Sequence, residues 1–173
     1  MKHILDLRTI DMSLYDFIST KLSTDGFTVL SGHSYPYVVS GIYLVDGRPA
    51  ETTNMGLPTI SIEHIFSTEQ PFQLGPGRSD KRMFEIDVYA RSNGERDDLG
   101  ERIRIYLGAN SVSVYDYNLI VTGGISSILA SARAEDITLN TLVGNIPMKA
   151  MQYVMRITFS LTIDIGSGYS LII

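Results

Sequence analysis

Two rhythms of apolar and polar positions run along this chain. From Asp11 the segment DMSLYDFISTKL sets Leu14, Phe17, Ile18 and Leu22 at i, i+3, i+4 and i+8, the stripe of a helix lying on a core. Asp11 is the natural N-cap, and Gly26 follows the expected end. A second helix is predicted over 95–107. Ser92 and Glu95 have capping-box spacing, and Leu99, Ile103, Tyr106 and Leu107 supply the buried stripe.

The other rhythm has period two. Residues 27–30 and 38–45 are rich in β-branched and aromatic types, and the second run stops at the turn signal Asp46-Gly47-Arg48-Pro49. Residues 57–67 form a further strand, with Pro58 tolerated at its start. In the strand after it, Phe84, Ile86, Val88 and Ala90 share one side while Glu85, Asp87, Tyr89 and Arg91 share the other, which is expected to face water or a partner. Between them lies the Gly/Pro-rich stretch 68–81, far beyond the usual hairpin loop of about two to five residues. Residues 111–141 read as a meander or hairpin. The last strand is the plainest: Tyr153, Met155, Ile157, Phe159, Leu161, Ile163 and Ile165 alternate with Val154, Arg156, Thr158, Ser160, Thr162 and Asp164. At its rise per residue it spans roughly 40 Å, long enough to predict that it runs beyond its own core.

These elements predict an α+β fold: a mostly antiparallel β-sheet with two helices packed on one face, a long hairpin loop and a long C-terminal strand. A length of 173 residues with 44% hydrophobic content suits one buried core. The expected organisation is a single domain over 1–165 and a flexible apolar tail, GSGYSLII, over 166–173. Tyr169, Leu171, Ile172 and Ile173 in that tail are expected to dock on a partner. A formal charge of −5 argues against a surface built wholly to grip phosphates. Without cysteine there is no disulfide framework or thiolate metal site. The apolar start is interrupted by Asp6, Arg8 and Asp11, unlike a signal peptide, and the near-apolar run 119–132 is broken by Thr122, Gly123, Gly124, Ser126 and Ser127, so no membrane partner is expected.

Candidate chemistry is sparse. The histidines are His3, His33 and His64, without helical spacing or an HExxH motif, so neither a metal nor another cofactor is expected. No nucleophile elbow or P-loop occurs; Gly75-Pro76-Gly77-Arg78 reads as a hairpin tip. Glu85-Ile86-Asp87-Val88-Tyr89-Ala90 is similar to the acidic strand of restriction-endonuclease-like enzymes, which hold Mg²⁺ for phosphodiester cleavage. That family also needs an acidic-x-Lys on the following strand, and SVSVYDYNLIVT has neither Glu nor Lys. Alternation in an amphipathic strand is the stronger reading, and no catalytic residue is assigned. Arg96, Arg102 and Arg104 are interleaved with Glu95, Asp97, Asp98 and Glu101, as on a solvated helix face.

The block LPTISIEHIF, RMFEIDVYARS and ERDDLGERIRIYL, with its Leu-Pro opening, acidic-aromatic strand and immediate helix, resembles the central block of bacteriophage tail terminator proteins. The resemblance covers roughly residues 11–107 by element order and the last strand by position; 111–150 and the tail have no counterpart in it. It implies a structural protein rather than an enzyme: a homo-oligomeric ring, hexameric in that family, that caps the tail tube, ends its polymerisation and joins it to the head-neck connector. The implied partners are further copies of the chain, the tail tube protein and the head-tail connector, with DNA only as passing cargo. The implied location is the virion, after assembly in the host cytoplasm. On this reading Gln70, Arg78, Lys81 and Arg82 are the tube-contact loop, and Glu85, Asp87, Tyr89, Arg91, Glu95 and Arg102 make inter-subunit contacts. Another neck, head-completion or baseplate component shares these assembly features, and a Mg²⁺-dependent nuclease is the enzymatic alternative.

Overall fold

The strict alternation over 153–165 becomes the middle of the sheet. A computed structural model describes residues 3–5, 7–31, 42–46, 56–70, 78–115, 128–142, 153–165 and 169–171. Its elements are β1 (His3–Leu5), α1 (Leu7–Thr24), β2 (Val29–Ser31), β3 (Ile42–Asp46), β4 (Thr59–Gln70), β5 (Arg78–Ala90), α2 (Asn93–Ala109), β6 (Val112–Tyr115), β7 (Ile128–Leu142), β8 (Tyr153–Ile165) and β9 (Tyr169–Leu171). Seven strands form one sheet in the order β2-β3-β4-β5-β8-β7-β6, antiparallel except where β3 meets β2 and β4. The fold is α+β, with both helices on one face of a curled sheet.

The length of β8 suggests an overhang, but β5 flanks it from Ala90↔Tyr153 to Arg78↔Ile165, and β7 lies on its other side. Ile157, Leu161 and Ile163 are fully buried, so this strand is the spine of the core rather than an arm. The same pairing corrects the hairpin. A second partner strand supports β5 along its whole length, so the ladder with β4 continues through Ser67↔Arg82 and Thr68↔Lys81 to Gln70↔Ser79. Lys81, placed in the loop by composition, and Arg82, assigned to the tube-contact loop by the resemblance, are strand residues. Residues 38–41 of the predicted second strand lie outside the described residues. The region 111–141 contains the β6–β7 hairpin.

Helix α1 begins at Leu7, ahead of the expected cap, because Ile10 extends the stripe: Ile10, Leu14, Ile18 and Leu22 are all fully buried. Asp11 therefore lies within the helix. The end is as the glycine suggests: Gly26 takes φ of 88°, the Gly26 amide donates to Ser23 O at 3.0 Å and the Phe27 amide to Leu22 O at 3.1 Å, which is a Schellman closure. Ser13 Oγ accepts from the Tyr115 amide of β6 at 3.0 Å, and the Tyr15 hydroxyl donates to Leu44 O of β3 at 3.0 Å. One helix thereby ties together strands from opposite ends of the sheet.

Helix α2 starts two residues before its predicted first residue, with Ser92 as N-cap. The Glu95 amide donates to Ser92 Oγ at 3.2 Å, and the Glu95 carboxylate accepts from the Arg91 amide at 2.7 Å, one residue ahead of the usual capping-box partner. Ser92→Ala is expected to lower stability by about 1 kcal/mol, measured by urea unfolding. The predicted stripe Leu99, Ile103, Tyr106 and Leu107 is buried against β5, β7 and β8. At the other end of the chain, β9 in the apolar tail pairs in parallel with β1 of the same chain, His3↔Tyr169 to Leu5↔Leu171. Ile172 and Ile173 lie outside the described residues.

Candidate functional site

The cross-strand register puts Ser61 of β4, Asp87 of β5, Arg156 of β8 and Asn140 of β7 in one row across the sheet face opposite the helices. Arg156 donates from Nε to Asp87 Oδ1 at 2.8 Å and from Nη2 to Asp87 Oδ2 at 2.9 Å, a two-pronged charge-assisted pair. Its Nη1 lies 3.2 Å from Glu85 Oε2. Donating hydrogen bonds to Asp87 raises the Arg156 pKa, so the guanidinium stays charged throughout the working range. The Tyr89 hydroxyl is 3.4 Å from Asp87 Oδ2, and its pKa is raised first by burial and then by the neighbouring carboxylate. One guanidinium thus faces two carboxylates in a largely dry setting.

Alternation along β5 gives Asp87 and Tyr89 to water or a neighbouring subunit. Instead Asp87 is 4% exposed and Tyr89 8% within the chain itself. Tyr89 and Val154 pack with Leu57 and Leu142, and Arg156 offsets the Asp87 charge, so this polar side is an internal seam. Glu85 is half-buried beside it. Both Asp87 oxygens accept from Arg156, and among the described residues no group of three His, Asp or Glu converges as a metal site would require.

The other three expected interface residues gather elsewhere. Arg91, Glu95 and Arg102 line a cavity of about 700 Å³ between the end of α1 and the start of α2, together with Phe27 and Asp98. Arg91 donates to Leu57 O and lies 3.9 Å from Glu95. Arg102 pairs with Asp25 at 2.8 Å and sits over the Phe27 ring at 5.4 Å. Asp25 also accepts from the Tyr106 hydroxyl, a bond that holds its carboxyl below the usual carboxylate range ahead of the Arg102 contribution.

Burial, reinforced by Asp25, pushes Tyr106 up to about 12. Its folded pKa therefore exceeds the unfolded value near 10. Its contribution to stability is fully present below about pH 10 and is lost as pH rises through about 12. In an alkaline ultraviolet titration Tyr106→Phe is expected to remove a late-titrating tyrosine.

Around the hairpin the cations are not at a tip. Lys81 spans to β7, 2.9 Å from Asp136 and 3.9 Å from Glu135, and the Asp136 hydrogen bond raises its pKa. Asp136 occupies the β7 bulge with φ of 55°. Arg82 is buried, 6% exposed, and so is not available as a surface contact in the isolated chain. Gln70 and Arg78 are ladder residues opposite Ser79 and Ile165. Arg156, Asp25 and Asp136 were not singled out by the sequence reading. For Arg156 a signal existed: it is the lone charge within an otherwise apolar and hydroxyl run, VMRITFSLT. No protein-family model and no curated protein matches the chain.

Proposed function

We propose that this chain is a phage tail terminator: a structural subunit that forms a ring on the end of the tail tube, stops its polymerisation and presents the far side of the ring to the head-neck connector. One observation carries the reading beside the sequence resemblance. The block 57–107 folds as a single long hairpin, β4 and β5, that passes into α2 through Arg91 and Ser92, with α1 and α2 on the same face. This is the element order that the resemblance implies, with a ladder reaching Gln70↔Ser79 well past the end of β3 at Asp46↔Ile62. Such an overhang suits contacts between copies.

The outward charges of α2 fit a subunit surface. Arg104 pairs with Glu101, both about half exposed, and exposed pairs of this kind set orientation and partner choice more than stability. The nuclease reading draws no support from the acidic strand, whose buried carboxylate is committed to Arg156. Light scattering of the purified protein, followed by co-sedimentation with preassembled cognate tail tubes, tests the proposal. A ring-sized particle that pellets with tubes in proportion to the number of ends is expected. A protein that stays in the supernatant and never exceeds a monomer overturns it.

A further inference from the structure

We infer that the ring is built by heterologous edge pairing, in which residues 138–142 of β7 add antiparallel to residues 66–70 of β4 in the next copy. The inference deepens the ring reading and rests on it. Strand β3 accompanies β4 only over Thr59–Ile62, and β6 accompanies β7 only between Ile128 and Ala132. Among the described residues, no strand flanks the outer side of 66–70 or of 138–142.

An open edge presents unpaired amides and carbonyls, and monomeric proteins blunt such edges with charge, proline or bulges. The first part of β7 is blunted in this way: Arg133, Glu135 and Asp136 surround a bulge between Glu135 and Thr138. After the bulge the run is Ile137-Thr138-Leu139-Asn140-Thr141-Leu142, without charge, proline or glycine. On β4 the run past the bulge between His64 and Phe66 is equally bare, with Glu69 its single charge. Ile65 and Phe66, 38% and 46% exposed, are two of the four exposed large apolar side chains among the described residues, and they adjoin on this edge.

Direction and facing agree as well. Three successive antiparallel pairings, β4 to β5, β5 to β8 and β8 to β7, leave β7 opposite in direction to β4. A copy whose sheet continues the first therefore meets β7 in the antiparallel sense that the rest of the sheet uses. Phe66 lies opposite Met83 and Leu142 opposite Val154, positions on the same sheet face, so a register placing Phe66 against Leu142 matches apolar to apolar. Because the two edges are different surfaces, the contact repeats head to tail and closes when the rotation between copies divides a full turn.

The chain has no cysteine, which permits a clean test. In one chain Phe66 and Leu142 lie three strand spacings apart across the sheet, and at the levels of Ser160 and Val154 they lie six residues apart along it, roughly 24 Å in all and too far for a disulfide. The double variant Phe66→Cys/Leu142→Cys, oxidised mildly, is expected to give a covalent ladder of oligomers on a non-reducing gel, while each single variant gives none. Hydrogen exchange on the unmodified protein provides a second readout, with amides of 66–70 and 138–142 exchanging more slowly in the oligomer than on dilution. An oligomer by light scattering with no ladder and no protection at these edges overturns edge pairing and leaves the ring reading standing. Covalent dimers from either single variant show two-fold pairing of like edges and also overturn it. Absence of any oligomer removes the ring reading itself.

Discussion

Arg156→Met is expected to lower the free energy of unfolding by about 3 kcal/mol, the lower end of the range for removing one partner of a buried ion pair. The loss comes from what remains: Asp87, with a side chain 5% exposed, is left without the guanidinium that holds both of its oxygens. The figure sits at the lower end because Arg156 itself is 25% exposed and Glu85 17%, so water can partly replace the lost partner. Arg156→Lys retains charge but cannot reproduce the two-pronged geometry, and should lose less. The double variant Asp87→Asn/Arg156→Met should recover a good part of the loss, since neither charge of the buried pair is then stranded. Urea unfolding of the unmodified protein, Arg156→Met, Asp87→Asn and the double variant gives the coupling energy, and a coupling near zero would mean that the seam is not held by this pair.

Phe159→Ala is expected to cost about 3–5 kcal/mol, the range for truncating a fully buried phenylalanine. Phe159 of β8 stacks on Phe84 of β5 with ring centroids 5.8 Å apart and planes inclined by 19°, and the two are 1% and 0% exposed. They occupy paired positions on the helix-facing side, where the cavity left by truncation is walled by two rigid central strands and cannot collapse readily. For a domain whose total stability is of the order of 5–15 kcal/mol, a loss of that size removes much of the margin. Ile105→Ala, at a position 50% exposed on α2, serves as the control and should change stability by no more than about 0.5 kcal/mol. Thermal unfolding followed by circular dichroism distinguishes the two.

What the sequence made legible follows from how local each signal is. The span of β8 could be read residue by residue, because alternation without a break is written entirely within 153–165. The stripe and cap of α2 were equally local, and so was the Gly26 closure of α1. Alternation in β5 separated its two sides correctly, but it carries no information on whether a polar side is wet. The partner that makes Asp87 burial tolerable is Arg156, 69 positions along the chain. The hairpin was misjudged for the same reason: Lys81 and Arg82 look like loop residues until β8 is seen to support β5 along its full length. The start of α1 moved because one further apolar residue, Ile10, outweighed the preference of Asp11 for a cap.

This physical picture bears directly on assembly. The inter-subunit contacts expected on β5 and α2 are divided by the fold: Asp87 and Tyr89 stabilise the chain from within, while Arg91, Glu95 and Arg102 line the cavity beside α2. Substitutions in the first pair should act on folding, and those in the second group on association. The most direct measurement is a tail-tube polymerisation reaction with the cognate tube protein, in which elongation is followed by electron microscopy with and without the purified chain. Arrested tubes, each bearing one ring at its growing end, are the predicted result. Tubes that elongate to the same lengths with bare ends would contradict the account.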